Sequence, residues 1–81
     1  MKREYIEELI EAGREIEFQY RGKRYSITYY NDERGKGISV CRFFGKPADL
    51  RNADEVFQLT IGGITLERIF ADLPDSAFDI Y

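Results

Sequence analysis

The sequence predicts an α+β fold, in which a three-stranded antiparallel β-meander carries an N-terminal helix and two short C-terminal helices on one face. Three observations predict it. Residues 15–29, EIEFQYRGKRYSITY, alternate polar and apolar side chains on both sides of a glycine-containing turn. Residues 2–12 place Tyr5, Ile6, Leu9 and Ile10 at helical spacing, with Glu4, Glu7, Glu8 and Glu11 between them. Beyond residue 51, helix-start signals at Asn52 and Thr65 replace strand alternation.

Taken in order, the first helix stops at Gly13, the residue type that ends helices in the left-handed conformation. The hairpin then follows by register. A two-residue turn at Arg21-Gly22 sets Tyr20 against Lys23, Phe18 against Tyr25 and Ile16 against Ile27, with Gln19, Glu17 and Glu15 facing Arg24, Ser26 and Thr28. A four-residue loop keeps the same faces, whereas a one-residue slip turns the apolar arm against the charged one. Residues 31–37, rich in turn formers, lead to a third strand over 38–44, so the second strand lies in the middle. That third strand breaks its alternation: Ile38 and Val40 share one face, then Cys41 and Phe43 claim the other. A bulge after Val40 explains this, and so does a strand end covered on both faces.

Gly45, Lys46 and Pro47 are expected to end the sheet. Asn52 and Glu55 have capping-box spacing, which predicts a short helix over about residues 53–59. Gly62-Gly63 breaks it, Thr65 caps a third helix with Leu66, Ile69, Phe70 and Leu73 on one stripe, and Pro74 stops that helix. The acidic segment 75–81 keeps Phe78, Ile80 and Tyr81, too many large apolar residues for a free tail, and is expected to dock on the body. The place expected for it is an apolar patch of Tyr30, Cys41 and Phe43 on the outer face of the sheet, with a partner molecule as the alternative cover.

With 81 residues, the chain is read as one domain, 43% hydrophobic and 33% charged. No apolar run approaches the roughly 20 residues of a membrane helix, and no secretory signal is read at residues 1–4. The single cysteine predicts a reducing, cytoplasmic setting. The absence of histidine removes the commonest general base and metal ligand. No catalytic residues, metal or cofactor are therefore expected. Asp72, Asp75 and Asp79 lack the spacing of a calcium loop. Gly35-Lys36-Gly37 and Gly62-Gly63 do not fit a phosphate-binding loop.

The net charge of −3 is unevenly spread: −3 over residues 1–20, +5 over 21–51 and −5 over 52–81. Either the blocks neutralise one another, or one sign marks a partner surface. The expected function is that of a non-enzymatic protein-interaction module or inhibitor, monomer or homodimer, with no membrane association. It would act through the acidic helices and tail, including Asp72, Asp75 and Asp79, or through Tyr30, Cys41 and Phe43. The alternative is binding of single-stranded nucleic acid by Arg21, Lys23, Arg24, Arg34 and Lys36, interleaved with sheet aromatics. Against that alternative, Tyr25 and Tyr29 are assigned to the core and the net charge is negative.

The run IGGITLE at 61–67, continuing to LPDSAF at 73–78, resembles the ending of a family of small proteins from Gram-positive bacteria and their mobile elements. The hairpin with its Gly-Lys turn resembles their opening. The resemblance spans most of the chain, rests on turn, cap and stop signals, and implies no activity. Small αβββα proteins of this layout also include phage-encoded inhibitors of host defence nucleases, an analogy of size and shape alone.

Overall fold

The computed structural model describes residues 1–33, 35–42 and 46–81, and its sheet grows from the turn at Arg21-Gly22. Arg21 and Gly22 take φ of 51° and 74°, the pair of positive values that a type I′ hairpin turn needs. Its arms, β1 (Ile16–Tyr20) and β2 (Lys23–Asp32), pair in the expected register, with Phe18 opposite Tyr25 and Ile16 opposite Ile27. Strand β3 (Gly35–Arg42) pairs with β2 residue for residue, from Tyr25 with Arg42 to Asp32 with Gly35. No bulge interrupts it. Over the described residues the alternation holds: Cys41 faces outward opposite Ser26, and Arg42 sits exposed on the inner row opposite Tyr25. Phe43 and Phe44 lie outside the described residues, as does Arg34.

Among the described residues the sheet has five strands rather than three: β3, β2 and β1 in that order, with Ala48–Leu50 (β4) outside β3 and Phe78–Ile80 (β7) outside β1. The segment after Pro47 does not leave the sheet. It adds β4 (Ala48–Leu50) along residues 38–40 of β3. The C-terminal segment docks, but on the opposite edge and not over the outer face: β7 (Phe78–Ile80) pairs antiparallel with β1, Phe18 opposite Phe78 and Ile16 opposite Ile80. Each edge strand is a triplet of apolar, Asp, apolar, too short for its alternation to stand out from the flanking loop. Short, charged strands at both edges also limit pairing with other chains.

The helices cover the face that carries Ile16, Phe18, Tyr25, Ile27, Ile38 and Val40. Helix α1 (Arg3–Glu11) buries Ile6, Leu9 and Ile10, while Tyr5, expected on that stripe, stands at its margin and is 49% exposed. Helix α2 (Ala53–Gln58) starts as its capping signal predicts: Asn52 Oδ1 accepts from the Glu55 amide at 2.9 Å, and the Glu55 carboxylate accepts from the Arg51 amide at 2.7 Å. Gly62 and Gly63, with φ of 60° and 82°, do more than break a helix. They turn a small hairpin of β5 (Thr60–Ile61) and β6 (Ile64–Thr65), after which Thr65 Oγ1 caps α3 (Leu66–Asp72) by accepting from the Arg68 amide at 3.3 Å.

Phe70 stands at the centre of the core. Its ring packs edge-on against Phe18 (5.0 Å between centroids), Phe57 (6.0 Å) and Phe78 (5.6 Å), and Phe18 stacks on Tyr25 at 5.2 Å. Sheet, α2, α3 and the last strand thus meet in one aromatic cluster. Tyr29 is the exception to the expected core, 46% exposed at a corner the helices do not reach.

Candidate functional site

The acidic side chains divide into two classes by what faces them. Every acidic residue beyond position 51 has a partner. Asp54 and Glu67 both bind Arg3, whose guanidinium also lies 4.5 Å from the Phe57 ring centroid, so one arginine ties α1 to α2 and α3. Glu55 receives the Arg51 amide, Asp72 lies 3.8 Å from Arg68, and Asp75 accepts from the Met1 amino group at 2.9 Å. Asp79 binds Arg24, which also donates to Glu17 at 3.0 Å. The hydrogen bonds that Arg3 donates to Glu67, and that Arg24 donates to Asp79 and Glu17, raise the pKa of each guanidinium, against an opposing effect of burial.

On α1 the situation is reversed. Among the described residues none forms an ion pair with Glu4, Glu7, Glu8 or Glu11. Glu4, Glu8 and Glu11, at spacings of four and three, form a stripe opposite Ile6, Leu9 and Ile10. Exposed Tyr5 stands beside Glu8, one turn away. The arrangement opposes the helix's own electrostatics. Glu4 with Glu8 and Glu7 with Glu11 are like charges four residues apart, and the last turn carries acids and no base, where the helix dipole favours cations.

The remaining sequence-predicted residues are dispersed. Tyr30 and Cys41 share the outer face, but Tyr30 pairs with Gly37 and Cys41 with Ser26. Four residues of strand, roughly 13 Å, separate them. The Tyr30 ring lies over Gly37, where an added Cβ would stand 2.7 Å from its hydroxyl. The Cys41 thiol lies 3.5 Å from Ser26 Oγ. Phe43, the third member of that patch, is outside the described residues. Asp72, Asp75 and Asp79 sit on three different elements, each facing its own cation.

The basic block is likewise divided. Arg21 and Lys23 lie at the β1–β2 turn, with Arg21 stacked 5.2 Å from the Tyr20 centroid, and Arg24 is engaged by Glu17 and Asp79. Lys36 lies on β3 opposite Asn31, which is eight residues or roughly 26 Å of strand along β2 from Lys23. Arg34 is outside the described residues. No group of three metal-ligating side chains occurs among the described residues, and no helix is long and apolar enough to cross a membrane.

The unmatched stripe on α1 was within reach of the sequence. What the sequence hid was the contrast, because the partners of the C-terminal acids come from residues up to 74 positions away. Comparison with protein-family models, curated proteins and solved structures finds no match to this chain.

Proposed function

We propose that the protein is a non-enzymatic interaction module that presents the outer face of α1, Glu4 and Glu8 with Tyr5, to a basic surface on a protein partner. One observation carries the reading. The six acids of the C-terminal block are all matched within the fold, while on α1 only Glu7 feels a nearby cation, Arg3, and Glu4, Glu8 and Glu11 have none among the described residues, although cations three or four residues away would strengthen the helix. A local electrostatic cost of this kind marks a surface shaped by something other than folding. Tyr5 adds what charge alone lacks, a rigid amphipathic ring that anchors interfaces at little entropic cost. Electrostatic steering by the stripe would speed encounter with a basic partner, and the ring would set the residence time.

The test is affinity capture from cells with the wild-type chain and with the double variant Glu4→Lys/Glu8→Lys, followed by binding measurements on any protein retained. The reading expects a partner held by the wild type, released by salt and lost with the charge reversal, and weakened about tenfold or more by Tyr5→Ala. Capture profiles that are the same for wild type and charge-reversed chain overturn it.

A further inference from the structure

A second surface lies at the open corner of the helix-covered face, where the C-terminal end of α1, the β2–β3 hairpin and the segment leading into α2 enclose a groove of about 510 Å³. That volume is in the range of small-molecule sites, roughly 300–1,000 Å³. Its floor is apolar, formed by buried Ile10, Ile38 and Ala53. One wall is the ring of Tyr29. Pairing with Ile38 puts Tyr29 on the core side of the sheet, yet no helix covers it. The ring lies beside the end of α1, where a Cβ at Gly13 would stand 3.6 Å from Tyr29 Cδ1.

The rim carries the charge. Lys36 lies two residues before Ile38 on the same face, and Arg51 follows Leu50, the β4 partner of Ile38. Both are exposed, and neither forms an ion pair with a described residue. Arg3, Arg24 and Arg68 are engaged by carboxylates, whereas Lys36 and Arg51 stand without one among the described residues, beside the exposed Tyr29 ring on the rim of an apolar groove. Glu11 lines the same groove. Its carboxylate disfavours a bare anion and accepts hydrogen bonds from hydroxyl or amino groups.

We propose that this groove binds a nucleoside 5′-monophosphate, with the base stacked on Tyr29, the phosphate between Lys36 and Arg51, and the sugar hydroxyls donating to Glu11. The chemistry fits because each part of such a ligand meets its complement: a planar ring an exposed aromatic face, a dianion two free cations, a hydroxyl donor a carboxylate. Of the residues in this site only Glu11 belongs to the acidic stripe on α1, and the partner reading rests on Glu4, Glu8 and Tyr5, so Tyr29, Lys36 and Arg51 test the site independently of that reading. The same unit is offered by a free mononucleotide and by a residue of single-stranded nucleic acid.

The experiment is titration of the isotope-labelled chain with adenosine 5′-monophosphate, followed by amide chemical shifts, with adenosine, inorganic phosphate and a ten-residue oligoadenylate as further arms. Shifts centred on Tyr29 and residues 36–38 and 51–53 are expected, with the nucleotide binding more tightly than adenosine or phosphate. Tyr29→Ala should weaken the nucleotide about tenfold while leaving phosphate unchanged. Lys36→Glu/Arg51→Glu should abolish both. All three side chains are exposed, and an unchanged spectrum for the rest of the chain shows that the variants fold. An oligonucleotide that binds at least about tenfold tighter, with steep salt dependence, identifies a single strand as the source. Equal or weaker oligonucleotide binding identifies the free nucleotide. No shifts at millimolar nucleotide, shifts centred elsewhere, or wild-type affinity in both variants overturn the proposal.

Discussion

Arg24 shows how a side chain that belongs to a basic block in sequence becomes a structural bolt in three dimensions. It projects from β2 on the outer face and binds Glu17 on β1 and Asp79 on β7, so it ties the last strand to the middle of the sheet. Arg24→Ala should lower the thermal midpoint and expose β7 to faster amide exchange. The sign of its pH dependence follows from its raised folded-state pKa. Such a group contributes fully below the ordinary guanidinium range and loses its contribution only above it. The midpoint difference between wild type and Arg24→Ala should therefore be the same at pH 6 and pH 9, and a difference that grows between those values would point to another titrating partner. Arg21 makes the opposite case. It holds φ of 51° at a position where asparagine is better tolerated. Arg21→Asn should stabilise the protein by up to about 1 kcal/mol in urea denaturation, and a loss instead would show that its stacking on Tyr20 outweighs the backbone strain.

At the scale of elements, what could be read in advance depended on length. The hairpin register follows from five residues on each arm, where a slip inverts every side chain, and the starts of α2 and α3 follow from the chemistry of Asn52 and Thr65. The edge strands are three residues each, and their pairing is decided by distant partners: Val40 for Ala48, Phe18 for Phe78. The exposed flank of Tyr29 escaped for a related reason, since alternation tells which face a side chain takes but not whether a helix reaches it. Phe78 was read as docking, yet its place at the third side of the Phe70 ring depends on that unforeseen strand. Phe70→Ala should cost about 3–5 kcal/mol in chemical denaturation, as the cavity opens toward Phe18, Phe57 and Phe78 at once. In a domain whose total stability is of the order of 5–15 kcal/mol, that brings the protein close to unfolding at physiological temperature.

For the whole molecule, the charge layout resolves into matched and unmatched parts, and both proposed surfaces lie among the unmatched ones. The C-terminal block, −5 by count, is held within the fold by Arg3, Arg24, Arg68, the Arg51 amide and the Met1 amino group. Among the described charges left without an ion pair are the acids along the outer face of α1 and, beside the groove, Lys36 and Arg51. If the stripe on α1 is kept for binding rather than folding, its removal must help the fold and harm the contact. Glu8→Lys provides that separation. It converts a repulsion with Glu4 into a favourable Glu-to-Lys pair four residues apart and puts a cation near the C-terminal end of the helix. The expected gain is about 0.5–1 kcal/mol, or several degrees in thermal midpoint for a domain of this size. The same variant should bind the captured partner more weakly and lose part of the salt dependence of its association rate. A variant that is both more stable and equally competent in binding would show that the acidic stripe is merely a solvated surface.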